Sequence, residues 1–261
     1  MSTRRYLALG FVLAGLVGLA LVVTPVLWAA DAPAKPAAPA AEASKDAPAP
    51  TTGPNGEKLV PADIKLPKAL FEGTPKNIKP ASTLEKYVDK NRPPFMVPEG
   101  TVLLSKGKKV TSSDMEPIIG EIKLITDGDK EGSDGSFVEL GPGKQWVQVD
   151  LGEPAAIYAI VIWHYHGEGR VYHDFVVQAA DDADFIENVK TIYNNDFDNS
   201  SGLGIGKDLE YIEDFRGRLV DARGADFKGV KGRYVRMYSK GNTSNDQNHY
   251  IEVEVYGKPA K

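Results

Sequence analysis

Gln145-Trp146-Val147-Gln148-Val149-Asp150-Leu151-Gly152 sets the terms for everything around it. Its side chains alternate, so Val147, Val149 and Leu151 share one face while Trp146, Gln148 and Asp150 share the other. That period of two belongs to a half-buried β-strand. Gly152 and Pro154 close the stretch, and a second apolar run, 157–163, begins at once. The spacing predicts two strands paired antiparallel across a Gly/Pro turn. The second run is apolar on both sides: Ile160 and Ile162 on one, Ala159, Val161 and Trp163 on the other. A strand with one wet face alternates more cleanly, so this one needs cover on both.

Short apolar stretches separated by Gly-, Asn- and Asp-rich turns continue at 101–104, 118–124, 175–179, 234–238 and 251–256. No long segment shows a 3.6-residue period, which predicts an all-β sandwich or barrel. In the last stretch Ile251, Val253 and Val255 are expected to face one way and Glu252, Glu254 and Tyr256 the other. Upstream, residues 57–99 mix recurrent prolines with apolar anchors such as Leu59, Ile64, Phe71, Tyr87 and Phe95. They predict an extended arm packed on the sandwich, its cover falling on the second face of the 157–163 strand. Ser82 with Glu85 three residues on suggests a short capped helix over 82–90.

The N-terminal 56 residues are of another kind. Arg4 and Arg5 precede an uncharged run that is almost entirely Leu, Val, Ala and Gly, so residues 1–30 read as a signal peptide or a signal anchor, which delivers the rest outside the cytoplasm. Residues 31–56, mostly Ala and Pro, cannot bury a core and predict a disordered spacer. The formal net charge is −5, which offers no electrostatic case for nucleic acid or anionic lipid. Cysteine is absent. An exported domain without disulfides must then be held by its core, by bound metal, or by both. No nucleophile elbow, phosphate loop or His-Glu-x-x-His motif is present, so nothing argues for an enzyme.

Ile125-Thr126-Asp127-Gly128-Asp129, then the 146–152 strand, Phe175-Val176-Val177, Gly232-Arg233-Tyr234-Val235-Arg236 and Glu252-Val253-Glu254-Val255-Tyr256-Gly257 follow one another in an order that resembles a discoidin domain. This is the coagulation factor five/eight type C family of the galactose-binding-like superfamily. The resemblance covers about 100–258. It implies a jelly-roll β-sandwich of two antiparallel sheets with its ligand loops at one end. The missing cysteine pair points to the bacterial branch, which includes carbohydrate-binding modules.

Asp127, Gly128 and Asp129, followed by Ser133 and Asp134, put hard oxygens on a tight turn, as calcium requires and as a plain solvated Asp-Gly turn also provides. The resemblance implies a structural calcium at this turn with a Glu of the last strand, here Glu252. The expected metal set is Asp127, Asp129, Ser133 and Glu252. A second oxygen-rich loop, 194–202, starts like an EF-hand, but Lys207 stands where the bidentate Glu belongs. His164 and His166 share a strand face and suit zinc only if a third ligand arrives. Pooled with Arg170, Tyr172, His173 and Asp174, and with Asn245, Asn248 and His249 of the polar loop before the last strand, they offer rings and hydrogen-bonding groups of the kind a sugar needs. Mutual satisfaction at a sheet end is the competing expectation. Together these point to a non-catalytic module binding carbohydrate on a cell surface or matrix, or alternatively docking a cell-surface protein, with membrane contact only through an N-terminal anchor.

Overall fold

The computed structural model describes residues 51–133 and 135–260. The leader, the spacer as far as residue 50, and Asp134 lie outside the described residues. The chain forms β1 (Leu59–Pro61), β2 (Met96–Pro98), β3 (Val102–Leu103), β4 (Lys109–Ser112), β5 (Val138–Leu140), β6 (Gln145–Trp163), β7 (Val176–Ala180), β8 (Lys190–Asn194), β9 (Arg218–Asp221), β10 (Val230–Ser239), β11 (Asn248–Tyr250) and β12 (Glu252–Pro259). Every strand pairing is antiparallel, and the architecture is the expected all-β sandwich.

The predicted hairpin at Gly152 does not form. Residues 145–163 run on as a single strand of 19 residues, bent at the Gly152-Glu153-Pro154 segment, where Gly152 takes φ 88°. Each half finds better partners elsewhere. β4 and β10 flank residues 147–150, while β9 and β12 flank 159–162. β10 follows the bend as far as Ile157, through a register irregularity between Gly232 and Tyr234. A strand that serves both layers lets Val147, Val149 and Leu151 meet Ile157, Ile160 and Ile162 across one core, which a hairpin within one sheet could not do. A second irregularity, between Tyr256 and Gly257 of β12, lies where the inward positions of β6 change from odd to even. Such bulges shift which residues face in without ending the strand.

The main core packs Val147, Val149, Val177, Val235 and Met237 of one layer against Ile160, Ile162, Val220, Val253 and Val255 of the other. A second cluster lies on the far side of β6, where Ala159, Val161, Trp163 and Tyr256 meet Ile64 and Phe95 from upstream, and Leu219 of β9. Ile251 departs from its expected face. It precedes the first residue of β12 and joins this second cluster rather than Val253 and Val255.

Two more expectations fail for local reasons. Residues 118–124 are not a strand, because Gly120 (φ 77°) turns the chain so tightly against Phe137 that a Cβ there would sit 2.2 Å from its carbonyl oxygen. A 3-10 helix, Ile122–Thr126, follows and drops Ile125 into the core. Nor do residues 82–90 form a helix. Glu85 N–H donates to the Glu210 carbonyl (2.9 Å) and Glu210 N–H to that of Thr83 (2.8 Å). The Glu85 carboxylate pairs with Arg218 (2.8 Å) instead of capping Ser82.

Candidate functional site

Glu252 stands at the start of β12, wholly buried, with its Oε2 accepting the Gly128 N–H at 3.1 Å and its Oε1 without a partner. Burial pushes its carboxyl up to about 9, with the neighbouring Glu254 and Asp127 charges adding to the rise. Across from it Asp127 Oδ1 accepts the Asp129 N–H (2.8 Å), and Asp129 Oδ1 accepts that of Glu131 (2.9 Å), so the turn is built by its own carboxylates. Asp129 Oδ2 accepts from the Ser136 hydroxyl (2.8 Å). Ser133 is exposed and 3.3 Å from Ser136, and nothing brings its hydroxyl to Glu252. A buried carboxylate with an orphan oxygen facing an Asp-Gly-Asp turn suits a hard cation, because an uncompensated buried charge is costly. Asp127 and Glu252 fit such an ion, Asp129 is engaged by its own turn, and Ser133 does not fit.

The histidines prove to be interior groups. His164 is fully buried, stacked on Tyr172 (centroids 4.2 Å apart, 18° between planes) and edged by Phe175 and Tyr250. Its Nδ1 lies 3.1 Å from Glu213 Oε2 and 3.3 Å from the Tyr211 hydroxyl. Burial, then the neighbouring His249, lowers His164 to about 3, and burial raises Glu213 well above its ordinary value. Burial thus disfavours charge on both groups, and one hydrogen bond joins them. His166 Nε2 meets the Lys130 carbonyl (2.8 Å), and His249 Nε2 meets Glu139 (3.0 Å). His164 and His166 engage different partners, and among the described residues no cluster of three potential metal ligands includes a histidine.

A sugar approaching the surface thus cannot reach His164, His166, Tyr172 or His249. Asn248 is also buried, donating to the Gly141 and Gly143 carbonyls (2.9 and 3.0 Å) and accepting from Gly241 (2.9 Å). Asn245 Oδ1 accepts from Asn242 (2.7 Å) and shapes its own loop. Arg170 stacks on Tyr165 (4.7 Å) and donates to Glu168, its side chain mostly covered. His164, His166, Tyr172, Asn248 and His249 are thus enclosed by packing, while Arg170 and Asn245 are partly covered and held by neighbours. His173 alone keeps a half-exposed ring, its Nδ1 held 3.0 Å from Glu210.

Loops converge beside it. Asp174, at φ 49°, accepts from the Ser200 hydroxyl, and Lys240 donates to Ser200 Oγ (2.8 Å) and lies 3.6 Å from Asp174. Lys240 N–H reaches the His173 carbonyl (2.9 Å), tying the strand end to the loop. Lys144 donates to the Ser201 carbonyl (2.7 Å), bringing the 141–144 turn to the same end. Asp174, Asp196 and Asp198 hold carboxylate oxygens within 4.8 Å of one another. Asp196 accepts the Ser200 and Ser201 N–H groups (3.0 and 2.9 Å), so its loop is satisfied as it stands. The sequence placed Ser200 only within the oxygen-rich 194–202 loop and gave no sign of Lys240, which lies on a separate loop with no shared spacing.

A family model described as the NedA-like, galactose-binding F5/F8 type C domain matches residues 124–237. No curated protein sequence matches the chain. Among solved structures, truncated AlyQ with its CBM32 and alginate lyase domains is 18% identical, covering 62% of this chain and 34% of that one at TM-score 0.41. The Streptococcus pneumoniae fucose-binding module SpX-3 is 18% identical, with 59% and 97% covered at TM-score 0.41. Chitosan-binding module 1 of a Paenibacillus sp. IK-5 chitosanase/glucanase is 20% identical, with 60% and 99% covered at TM-score 0.38. The chain thus spans about a third of the AlyQ chain.

Proposed function

We propose, from the premise that residues 124–237 form a galactose-binding-like domain of the F5/F8 type C family, that the protein is an exported, non-catalytic glycan-binding module steadied by calcium. The observation that carries the reading is the meeting of Asp174, Ser200 and Lys240 beside His173 at the loop end. Sugar hydroxyls need donors and acceptors fixed in advance, since ordering free side chains costs affinity. Here an acid, a hydroxyl and an ammonium are already hydrogen-bonded together, with Ser200 exposed and Lys240 and Asp174 partly so. Asp174 accepts from a hydroxyl, Lys240 donates to one, and the His173 ring offers an edge.

Calcium, when bound at the 127–128 turn, supplies the charge that the buried Glu252 carboxylate lacks. Asp127 and Glu252 would hold it, and the turn would be fixed to the closing strand. A ligand bound only to the folded state stabilises it by about 2.7 kcal/mol at a hundred times its Kd.

A glycan array probed with the full chain, with and without calcium, tests both parts. Binding to a defined sugar set, lost in Asp174→Ala/Lys240→Ala and without product release, supports the module. Blank arrays at every calcium concentration end the glycan reading. A melting temperature unmoved by calcium or by EDTA, with Glu252→Gln behaving like wild type, ends the metal reading.

A further inference from the structure

At the other end of β10 from Lys240, roughly 30 Å of strand away, positive charge stands unanswered. Lys231 of β10 and Lys258 of β12 are both in register with Ala156, one on either side of β6. Residues opposite one another on neighbouring strands present their side chains to the same face. Ala155 and Ile157 point into the core, so Lys231, Ala156 and Lys258 all look outward. They stand in an open cleft of about 700 Å³, with Ala156, Tyr158 and Pro259 as its apolar lining. The cleft's own acid, Glu99, is taken by Lys58. Neither Lys231 nor Lys258 forms an ion pair among the described residues, although the whole chain is acidic.

The chemistry narrows the occupant. Two ammonium groups, each a point charge on a flexible stem, complement anionic groups carried at intervals along a chain. An apolar lining between them suits the face of a sugar ring. No lining residue is an exposed large apolar side chain, which leaves a lipid surface without an insertion point. Pro259 removes a backbone donor at the rim, which weakens an added peptide strand.

We infer that this cleft binds an acidic polysaccharide, with uronate carboxylates at Lys231 and Lys258 and a ring over Ala156 and Pro259. The inference shares the sugar class with the loop-end reading but not its site.

Affinity electrophoresis of the full chain through polygalacturonate, and through its methyl ester, separates charge from backbone. The free acid retards the protein and the ester does not. Lys231→Gln/Lys258→Gln weakens retardation about tenfold, the scale of two lost charge contacts. Lys190→Gln, an exposed lysine of β8, leaves it unchanged. No retardation by the acid, equal retardation by acid and ester, or a double variant that migrates as wild type overturns the inference. Asp174→Ala/Lys240→Ala distinguishes the sites. If that variant loses neutral glycans but keeps the acid, the cleft stands alone; if it loses the acid as well, the acidic ligand belongs to the loop end and the cleft is refuted.

Discussion

The outer faces of the two layers are finished in opposite ways. On the layer containing β9 and β12, the outer side of β6 presents Ala159, Val161 and Trp163, all fully buried because Ile64, Phe95 and Leu219 cover them. Chain from far upstream is fastened there by polar ties at its margins. Tyr256 donates to the Asp63 carbonyl (3.2 Å), Arg223 to that of Met96 (2.9 Å), and Arg92 to that of Gly217 (2.7 Å). On the layer containing β4 and β10, the outer side of the same strand presents Trp146, Gln148 and Asp150. Arg236 lies between Trp146 (4.3 Å) and Phe185 (4.0 Å) and donates to Gln148 (2.8 and 2.6 Å). Arg233 takes Asp150 (2.8 Å). An apolar face must be roofed by other chain, whereas a face of aromatics and guanidiniums completes itself in place. One strand shows both solutions, on either side of its bend.

Truncation of the two tryptophans breaks the comparison at its strongest point. Trp163→Ala leaves a cavity under the roof and loses the indole bond to the Phe215 carbonyl (2.9 Å), so about 3–5 kcal/mol of stability goes with it. Trp146→Ala loses one plate of an open stack and costs about 1 kcal/mol. Urea unfolding reads both. Comparable losses would mean that the half-exposed face is packed as tightly as the roofed one.

The buried pair of His164 and Glu213 carries the comparison to the interior, where burial disfavours charge on both and His164 Nε2 and Glu213 Oε1 have no partner among the described residues. Glu213 has its folded value raised by burial, so its contribution to stability is present below the ordinary value of 4.5 and is lost as pH rises above it. Glu213→Gln keeps a donor for His164 Nδ1 and has no proton to lose. The variant therefore melts higher than wild type at neutral pH, and the gap closes as pH falls through 4.5. A gap that widens on acidification would show the pair to be ionised in the folded protein.

Alternation made the strands legible, because Val147, Val149, Ile160 and Ile162 occupy the core positions their spacing gave them. Pairing was not legible. The partners of β6 lie in β4, β9, β10 and β12, and nothing near Gly152 records that the chain passes on instead of turning back. The Asp127 turn and Glu252 were identified as a pair only through resemblance, being 124 residues apart where Gly128 meets the carboxylate. His164 misled for the same reason. Its residue type suits a ligand, but Tyr172, Glu213 and Tyr250 come from elsewhere to enclose it. Ser200 and Lys240 acquire meaning only when two loops meet at Asp174.

Arg236→Lys sharpens the difference between the faces with the smallest change. Lysine keeps the positive charge but cannot lie flat between two rings or donate in a fork to Gln148 Oε1, so the substitution costs about 1 kcal/mol. The loss comes with little change in how much surface unfolding exposes, so the urea midpoint moves while the slope stays constant. Phe185 supplies the second readout. It sits at φ 59°, a conformation that a bulky side chain adopts only when its surroundings hold it there. With the guanidinium gone, the 181–189 loop also loses the bond from Arg236 to the Ala183 carbonyl (2.9 Å) and should exchange its amides faster. Amide exchange in the Phe95 and Trp163 region should not change. If protection falls equally on both faces, the two are coupled through β6, and the division into a roofed face and a self-completing one does not hold.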